Sequence, residues 1–158
     1  MRVMMSKLKL TINEDKTRIC RLPEQTFDFL GYTLGRCYST RTGRTYIGTV
    51  PSKKRVARVC REISEMTGRR WSLMEVQDRV ARLNRMLVGW SNYFRLGPVS
   101  KAYHAVGDHA RRRLRRWLKA KHKLRGRCTG KFPDSYLHDG LGLVRLEART
   151  ASLPWAKA

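Results

Sequence analysis

The chain has 158 residues, of which 41% are hydrophobic and 30% are charged, a composition that is typical of a globular protein and excludes a wholly disordered one. Lysine and arginine number 35 against 12 aspartates and glutamates, and the net charge of +23 predicts a polyanionic partner, for which nucleic acid is the best candidate. The sequence has no run of about 18 apolar residues, so we expect no membrane-spanning helix.

Residues 1–50 have the pattern of short strands. Leu8, Leu10 and Ile12 alternate with polar residues, which is the period of a strand with one buried face. Further β-prone runs, separated by turn formers, cover 17–22, 27–38 and 44–50. A sheet of so few strands has marginal stability by itself in water. We therefore expect an antiparallel hairpin that packs on later elements and leaves an apolar surface exposed.

From residue 51 onward the apolar residues recur with the period of helices. The first predicted helix begins near Pro51, ends before Gly68, and has an apolar stripe formed by Val56, Val59, Ile63 and Met66. At the start of the second helix, Ser72 and Glu75 have the spacing of a capping box. This helix ends at a Gly-Pro pair at 97–98, and its stripe comprises Leu73, Val76, Val80, Leu83, Leu87, Trp90 and Phe94.

The third predicted helix begins at Ser100, which we expect to cap it, and ends near Gly126. Its stripe comprises Tyr103, Val106, Ala110, Leu114, Trp117 and Leu118. Three amphipathic helices with short connections predict a bundle, on which the apolar run at 141–144 is expected to dock. The predicted fold class is α+β, with a β-hairpin region at 1–50, a three-helix bundle at 51–126 and an irregular C-terminal tail at 127–158.

A cationic face on the third helix is the strongest functional feature. The lysines and arginines of this face lie on the side of the helix opposite the apolar stripe, and Asp108 is the only nearby acid. Unpaired like charges destabilise a helix, so this face predicts contact with phosphates, which position a nucleic acid without specifying its sequence. With the cations of the first two helices, the candidate binding residues are Lys53, Lys54, Arg58, Arg82, Arg85, Arg111, Arg112, Arg115, Arg116, Lys119 and Lys123.

Two other interpretations of this face are a solvated helix surface and a basic helix that lies on an anionic membrane. Charge does not distinguish RNA from DNA. The aromatic residues Trp90, Tyr93, Phe94 and Trp117 occupy core positions, so we expect them to pack in the interior rather than to stack on bases. Asn84 and Asn92 are expected on the polar side of the second helix, in solvent.

The four cysteines and four histidines do not form a recognisable site. The cysteines are scattered, without a Cys-x-x-Cys pair or a histidine at zinc spacing, so we expect reduced thiols and neither a metal, a cofactor nor a disulfide. No nucleophile and base stand out as a catalytic pair, so the chain is not expected to be an enzyme as it stands. Residues 1–7 contain no apolar stretch of signal-peptide length, which favours the cytoplasm.

Several stretches, in order along the chain, resemble group II intron reverse transcriptases. The stretches at 10–17 (LTINEDKT) and 27–32 (FDFLGY) are similar to the end of the palm domain in that family. Three further stretches resemble the maturase-specific thumb of the family: 51–54 (PSKK), 87–94 (LVGWSNYF) and 112–117 (RRLRRW). Bacterial members of the family have endings that resemble 133–137 (PDSYL), 140–143 (GLGL) and 153–158 (LPWAKA).

This resemblance implies roles for individual residues. The hairpin that contains Phe29, Leu30, Gly31 and Tyr32 would correspond to the primer grip, and Lys16 to the late-palm lysine that assists nucleotide addition. The three helices would form the thumb, which clasps intron RNA during splicing and the template–primer duplex during copying. The family's catalytic Tyr-x-Asp-Asp, which holds two Mg²⁺ ions, does not occur in this sequence.

The sequence therefore favours an RNA-binding maturase fragment that grips group II intron RNA through its basic helices. Two origins are open: the chain acts beside a separately encoded N-terminal polymerase half, or it is the remnant of a decayed gene. A membrane partner is not expected. The alternative is a general ribonucleoprotein or ribosome-associated protein without an intron partner. The two hypotheses differ in whether the chain prefers intron RNA to another RNA of similar length.

Overall fold

The computed structural model describes residues 19–39, 42–126, 128–151 and 153. A three-stranded antiparallel sheet is followed by helices, which confirms the α+β class. The predicted strand around Leu8, Leu10 and Ile12 lies outside the described residues, and so does Lys16.

The sheet is formed by β1 (Phe27–Phe29), β2 (Tyr32–Tyr38) and β3 (Thr45–Pro51), in that order. The run at 27–38 is two strands because Leu30 and Gly31, with φ of 49° and 85°, form the two-residue turn that matches strand twist. Residues 19–22, the described part of the run at 17–22, have no strand structure, contrary to the prediction. Residue preference alone does not form a strand without a paired neighbour.

Three long helices follow the sheet: α1 (Lys53–Met66), α2 (Val76–Tyr93) and α3 (Ser100–Lys121). Their predicted stripes form one core, apart from Leu73, because the side chains at those positions are buried or packed against buried neighbours. The α1 start is fixed by Ser52, whose hydroxyl accepts a hydrogen bond from the Arg55 backbone N–H. The prediction of an amphipathic bundle is confirmed.

The predicted capping box of the second helix is wrong. Residues Arg69–Trp71 form a 3₁₀ turn, α2 begins only after Glu75, and Leu73 is 93% exposed. Tertiary contacts hold this connection: the Trp71 indole N–H donates to the Glu65 carbonyl, and the Lys121 ammonium donates to the carbonyls of Ser72 and Met74. These hydrogen bonds hold the connection between α1 and α2 in a conformation in which the helix begins later than predicted.

The ends of α3 also differ from the prediction. Ser100 is the first helical residue rather than the cap, and the buried residue before it, Val99, provides no side-chain cap. The helix ends at Lys121, several residues before Gly126, because Lys123 adopts a left-handed conformation with φ of 50°.

The C-terminal segment docks on the bundle through short helical turns, α4 (Cys128–Lys131), Tyr136–Gly140 and Glu147–Thr150. Asn84 of α2 clamps it: its amide N–H₂ donates to the Gly142 carbonyl and its oxygen accepts from the Val144 N–H, at 2.8 and 2.9 Å. The predicted docking of residues 141–144 is confirmed. The apolar side chains that the described part of the segment buries are Phe132, Leu137, Leu143, Leu146 and Leu153.

The sheet packs on the helices at the connection between α2 and α3. Gly97, with φ of 75°, approaches β3 so closely that a Cβ there would lie 1.9 Å from the Thr49 carbonyl oxygen. The Tyr32 hydroxyl donates to the Tyr93 carbonyl at 2.7 Å. Ile47 and Tyr38 are exposed, and both lie toward the end of the sheet that is farther from Tyr32.

Candidate nucleic-acid interface

One side of α3 presents unpaired cations to solvent. The side chains of Arg112, Arg116 and the nearby Lys123 are exposed and make no hydrogen bond or ion pair within the described residues, while Lys119 is half-buried. The Lys119 ammonium donates to the Gly126 carbonyl at 2.8 Å, which orders the chain after the helix. These four residues, called the α3 ridge below, are the part of the predicted face that remains open.

The other side of the predicted face is covered. The Arg111 guanidinium pairs with Glu147 at 3.0 Å and with Asp108. The Arg115 guanidinium donates to the Phe132 carbonyl at 2.7 Å and pairs with Asp134 at 2.5 Å. The expectation of one uninterrupted cationic arc is therefore wrong, because the C-terminal segment supplies acids to its edge.

These ion pairs change the ionisation of their members. Burial alone would raise the pKa of Asp134, but the hydrogen bond from Arg115 and the charges of Arg115 and Arg111 outweigh it and lower that pKa. Burial opposes the charge of Arg111 as well, yet Asp108 and Glu147 raise its pKa overall. Both arginines are thus compensated within the fold.

The seam between α1 and α3 has cations without acids. The Arg113 guanidinium donates to the Ser64 carbonyl at 2.7 Å and to the Thr67 hydroxyl at 3.1 Å, so its hydrogen bonds are used but its charge is not neutralised. His109 Nε2 lies 2.9 Å from the Ser64 hydroxyl oxygen. Burial lowers the pKa of His109, a hydrogen bond with the Cys60 backbone opposes this, and nearby arginines of α3 lower it further.

A groove with a cavity volume of about 530 Å³ opens beside the ridge, between α1, the 3₁₀ turn and α3. Five of its lining residues are cations and none is an acid. We call it the cationic groove; its lining consists of Thr67, Arg69, Arg113, Arg116, Trp117, Lys119, Ala120, Lys123 and Leu124. It joins three predicted binding residues, Arg116, Lys119 and Lys123, with Arg69 and Arg113, which were not among the candidates.

The remaining candidates lie on the other two helices. Lys53, Lys54 and Arg58 are exposed on α1, and Arg58 pairs with Glu62 at 3.0 Å. Arg82 and Arg85 are exposed on α2, outside the lining of the cationic groove. Whether these residues contact nucleic acid stays a prediction.

Asn84 and Asn92, which were expected in solvent, both hydrogen-bond within the fold, although Asn92 is exposed. Asn84 is the clamp of the C-terminal segment, and the Asn92 amide oxygen accepts a hydrogen bond from Arg149 at 2.6 Å. Arg79 is buried, with its guanidinium over the Trp71 ring at 5.0 Å and an unpartnered Nε. It braces the start of α2 rather than facing a ligand.

The primer-grip-like residues lie beside a second cavity, of about 380 Å³, which we call the aromatic cavity. Phe29 and Leu30 are exposed, Gly31 forms the turn and Tyr32 is buried. The hairpin reaches α2 because the Tyr93 hydroxyl donates to the Leu30 carbonyl at 2.8 Å. The cavity is lined by Arg55, Arg58, Val59, Glu62, Trp90, Tyr93 and Phe94.

The predicted core packing of the aromatic residues holds for most of them. Trp117 and Phe94 are buried and Trp90 packs against the core. Tyr93 is 57% exposed, so its assignment to the core is wrong. Its hydrogen bond with the hairpin, a contact between distant parts of the chain, keeps it at the surface.

The described residues form neither a metal-binding cluster nor a membrane-spanning helix. In that part of the chain, no group of three or more histidine, cysteine, aspartate or glutamate side chains is arranged to hold a metal ion. None of the described helices has the length and apolar character needed to cross a membrane. Cys20, Cys37 and Cys60 are free thiols.

Residues 56–132 match the family model described as "Group II intron, maturase-specific domain". The matched region runs from the first turn of α1 to the segment after α3, so it contains the α3 ridge and the cationic groove. No curated protein matches the chain.

Proposed function

Because this chain carries a group II intron maturase-specific domain at residues 56–132, we propose that it binds group II intron RNA and assists splicing by stabilising the folded intron. The cationic groove carries this proposal, since five cations and no acid line it. Uncompensated cations in a concave site attract phosphates because the field of each reinforces that of its neighbours.

The groove and the α3 ridge fit a sugar–phosphate backbone rather than base edges. The side chains of Arg112, Arg116 and Lys123 make no hydrogen bond or ion pair within the described residues that would have to be broken before a phosphate is bound. The hydrogen bonds of Arg113 hold its guanidinium in place, so that its charge is already positioned. Phosphate contacts of this kind fix register and orientation, and the shape of the folded RNA provides selectivity.

The work proposed for this chain is binding, because the intron RNA supplies the splicing chemistry. The sequence contains no Tyr-x-Asp-Asp motif, the part of this family that holds catalytic metal. A separately encoded N-terminal polymerase half is the partner we propose for DNA synthesis. In such a complex the α3 ridge would grip the template–primer duplex, in the cytoplasm where the intron is transcribed.

The test compares a folded group II intron RNA with an RNA of the same length and shuffled sequence. We expect tighter binding to the intron, with an affinity that falls by orders of magnitude between low and moderate salt. Replacing Arg112, Arg116, Lys119 and Lys123 with glutamine should weaken binding at least about tenfold and reduce the salt slope by roughly one for each phosphate that is no longer neutralised. Circular dichroism should show unchanged helix content.

A control separates the groove from total charge. The double variant Arg112→Gln with Arg116→Gln and the double variant Arg82→Gln with Arg85→Gln remove equal charge, but only the first changes the α3 ridge. The first should weaken RNA binding more. Equal weakening would contradict a groove-centred interface, and equal affinity for both RNAs would favour a general ribonucleoprotein.

A further inference from the structure

The aromatic cavity is already organised in the free chain. The Tyr93 ring packs edge-on against Phe94 with centroids 4.8 Å apart, and Phe94 lies 5.1 Å from Trp90. Two hydrogen bonds fix Tyr93: its hydroxyl donates to the Leu30 carbonyl, and its own carbonyl accepts from the Tyr32 hydroxyl. The exposed ring therefore has little conformational freedom to lose when a ligand stacks on it.

Cations border these rings. Arg55 and Arg58 line the cavity together with one acid, Glu62, which pairs with Arg58 at 3.0 Å. Arg55 lies against the hairpin turn, since a Cβ on Gly31 would be 3.0 Å from its Nε. Two guanidiniums against one carboxylate leave the cavity with a net positive charge.

An exposed aromatic ring beside two arginines is suited to a ligand that has both a π-face and a phosphate. Proteins that recognise single-stranded RNA stack unpaired bases on aromatic rings and contact the backbone with cations. A cavity of about 380 Å³ lies within the usual size range of small-ligand sites. An apolar protein segment would pack against the rings but would supply no acceptor for the Arg55 guanidinium.

We propose that the aromatic cavity binds one unpaired nucleobase of an RNA strand, stacked on Tyr93, with the flanking phosphates at Arg55 and Arg58. This site deepens the proposed function and rests on RNA being the partner. It is separate from the cationic groove, with which it shares no lining residue. The groove holds a backbone, and the cavity holds a base that has left its helix.

The test uses a single-stranded RNA of seven nucleotides, six uridines and a central 2-aminopurine, whose fluorescence is quenched when the base stacks. We expect saturable quenching by the wild-type chain. Tyr93→Phe should retain it, and Tyr93→Leu should weaken the affinity roughly tenfold or more, because stacking on an aromatic ring is lost. Both variants lack the hydroxyl that contacts Leu30, so the ring is the difference between them.

Matched arginine variants complete the design. Arg55→Gln and Arg58→Gln should each weaken the quenching, whereas Arg61→Gln, exposed on the same helix and outside the cavity lining, should change it less. Equal quenching by Tyr93→Phe and Tyr93→Leu would overturn the proposal. A second outcome would also overturn it: the wild-type chain gives no quenching and is a dimer, and Tyr93→Leu makes the chain monomeric. The cavity would then hold a second copy of the chain and not a base.

The experiments can reject the base site in the aromatic cavity and the proposed function separately. Glutamine variants of the α3 ridge that leave intron affinity unchanged would remove the groove interface, even where 2-aminopurine quenching persists. Conversely, a ridge-dependent affinity for intron RNA without Tyr93-dependent quenching would leave the maturase proposal standing and remove the base site.

Discussion

Two pairs of arginines on neighbouring faces of α3 differ in whether they have ion-pair partners. Arg111 and Arg115 face the C-terminal segment and are held by Glu147 and Asp134. Arg112 and Arg116, one position further along the chain, are exposed and unpaired among the described residues. The same side chain is therefore a structural brace on one side of the helix and an open cation on the other.

The difference shows that the local density of cations does not define a binding surface. A guanidinium that already donates to a carboxylate and a carbonyl must break those bonds before it can bind phosphate, which removes most of the gain. An exposed arginine releases only water and counterions. The proposed RNA interface is consequently narrower than the cationic arc of the isolated helix.

The largest expected effect separates Arg115 from Arg116. Arg115→Gln should lower the free energy of unfolding by roughly 1–3 kcal/mol, because Asp134 and the Phe132 carbonyl lose a charged donor. Arg116→Gln should change it by less than about 0.5 kcal/mol. For RNA affinity the order reverses, and Arg116→Gln should have the greater effect. Urea unfolding and filter binding on both variants measure the two quantities.

The prediction would be contradicted if the same variant, Arg115→Gln or Arg116→Gln, had the greater effect on both the free energy of unfolding and RNA affinity. If Arg115→Gln weakened RNA binding as much as Arg116→Gln at a temperature where both are fully folded, the covered side of α3 would belong to the interface. The C-terminal segment would then have to move when RNA binds.

Local patterns in the sequence predicted the parts of the fold that depend on local contacts. The stripes of the three helices follow from residue spacing alone, and side chains such as Ile63 and Leu114 are fully buried as expected. The capping box failed because hydrogen bonds to distant residues shape the connection: the Trp71 indole N–H donates to the Glu65 carbonyl of α1, and the Lys121 ammonium donates to the Met74 carbonyl. A short motif competes poorly with several tertiary hydrogen bonds.

The candidate site was predicted less completely because its limits are set by distant residues. The acids that cover Arg115 and Arg111 are 19 and 36 positions away along the chain. Tyr93 is bonded to a hairpin 63 positions earlier. The cationic character of α3 was evident from the sequence, whereas which of its arginines stay open depends on where the C-terminal segment packs.

Removing the acids should make the covered side resemble the open side. Asp134→Asn with Glu147→Gln keeps the shapes of both side chains but frees the charge of Arg115 and leaves Arg111 with Asp108 as its remaining close acid. We expect RNA affinity to rise severalfold at low salt, with a salt slope steeper by up to about two. A control, Asp139→Asn, removes an acid whose partner is the exposed Arg145 and should change the slope less. A double variant with unchanged slope would show that the two arginines cannot reach RNA.

The smallest expected effect is a difference in pH dependence between the two sides. For both His109 and Asp134 the folded pKa lies below the ordinary value, so the folded state binds fewer protons than the unfolded state, and stability falls as pH falls. For His109 this loss begins below its ordinary pKa of 6.5, and for Asp134 below 3.8. Urea unfolding from pH 8 to pH 3 should show both windows.

Substitutions assign each window to its side of α3. His109→Gln should remove the loss near neutral pH and keep the acidic one, and Asp134→Asn should do the reverse. RNA should also raise the pKa of His109, measured by NMR, because phosphates on Arg112 and Arg116 offset the charges that help to lower it. A His109 pKa that RNA leaves unchanged, while affinity still depends on Arg116, would mean that the phosphates bind at the far edge of the groove rather than over the seam.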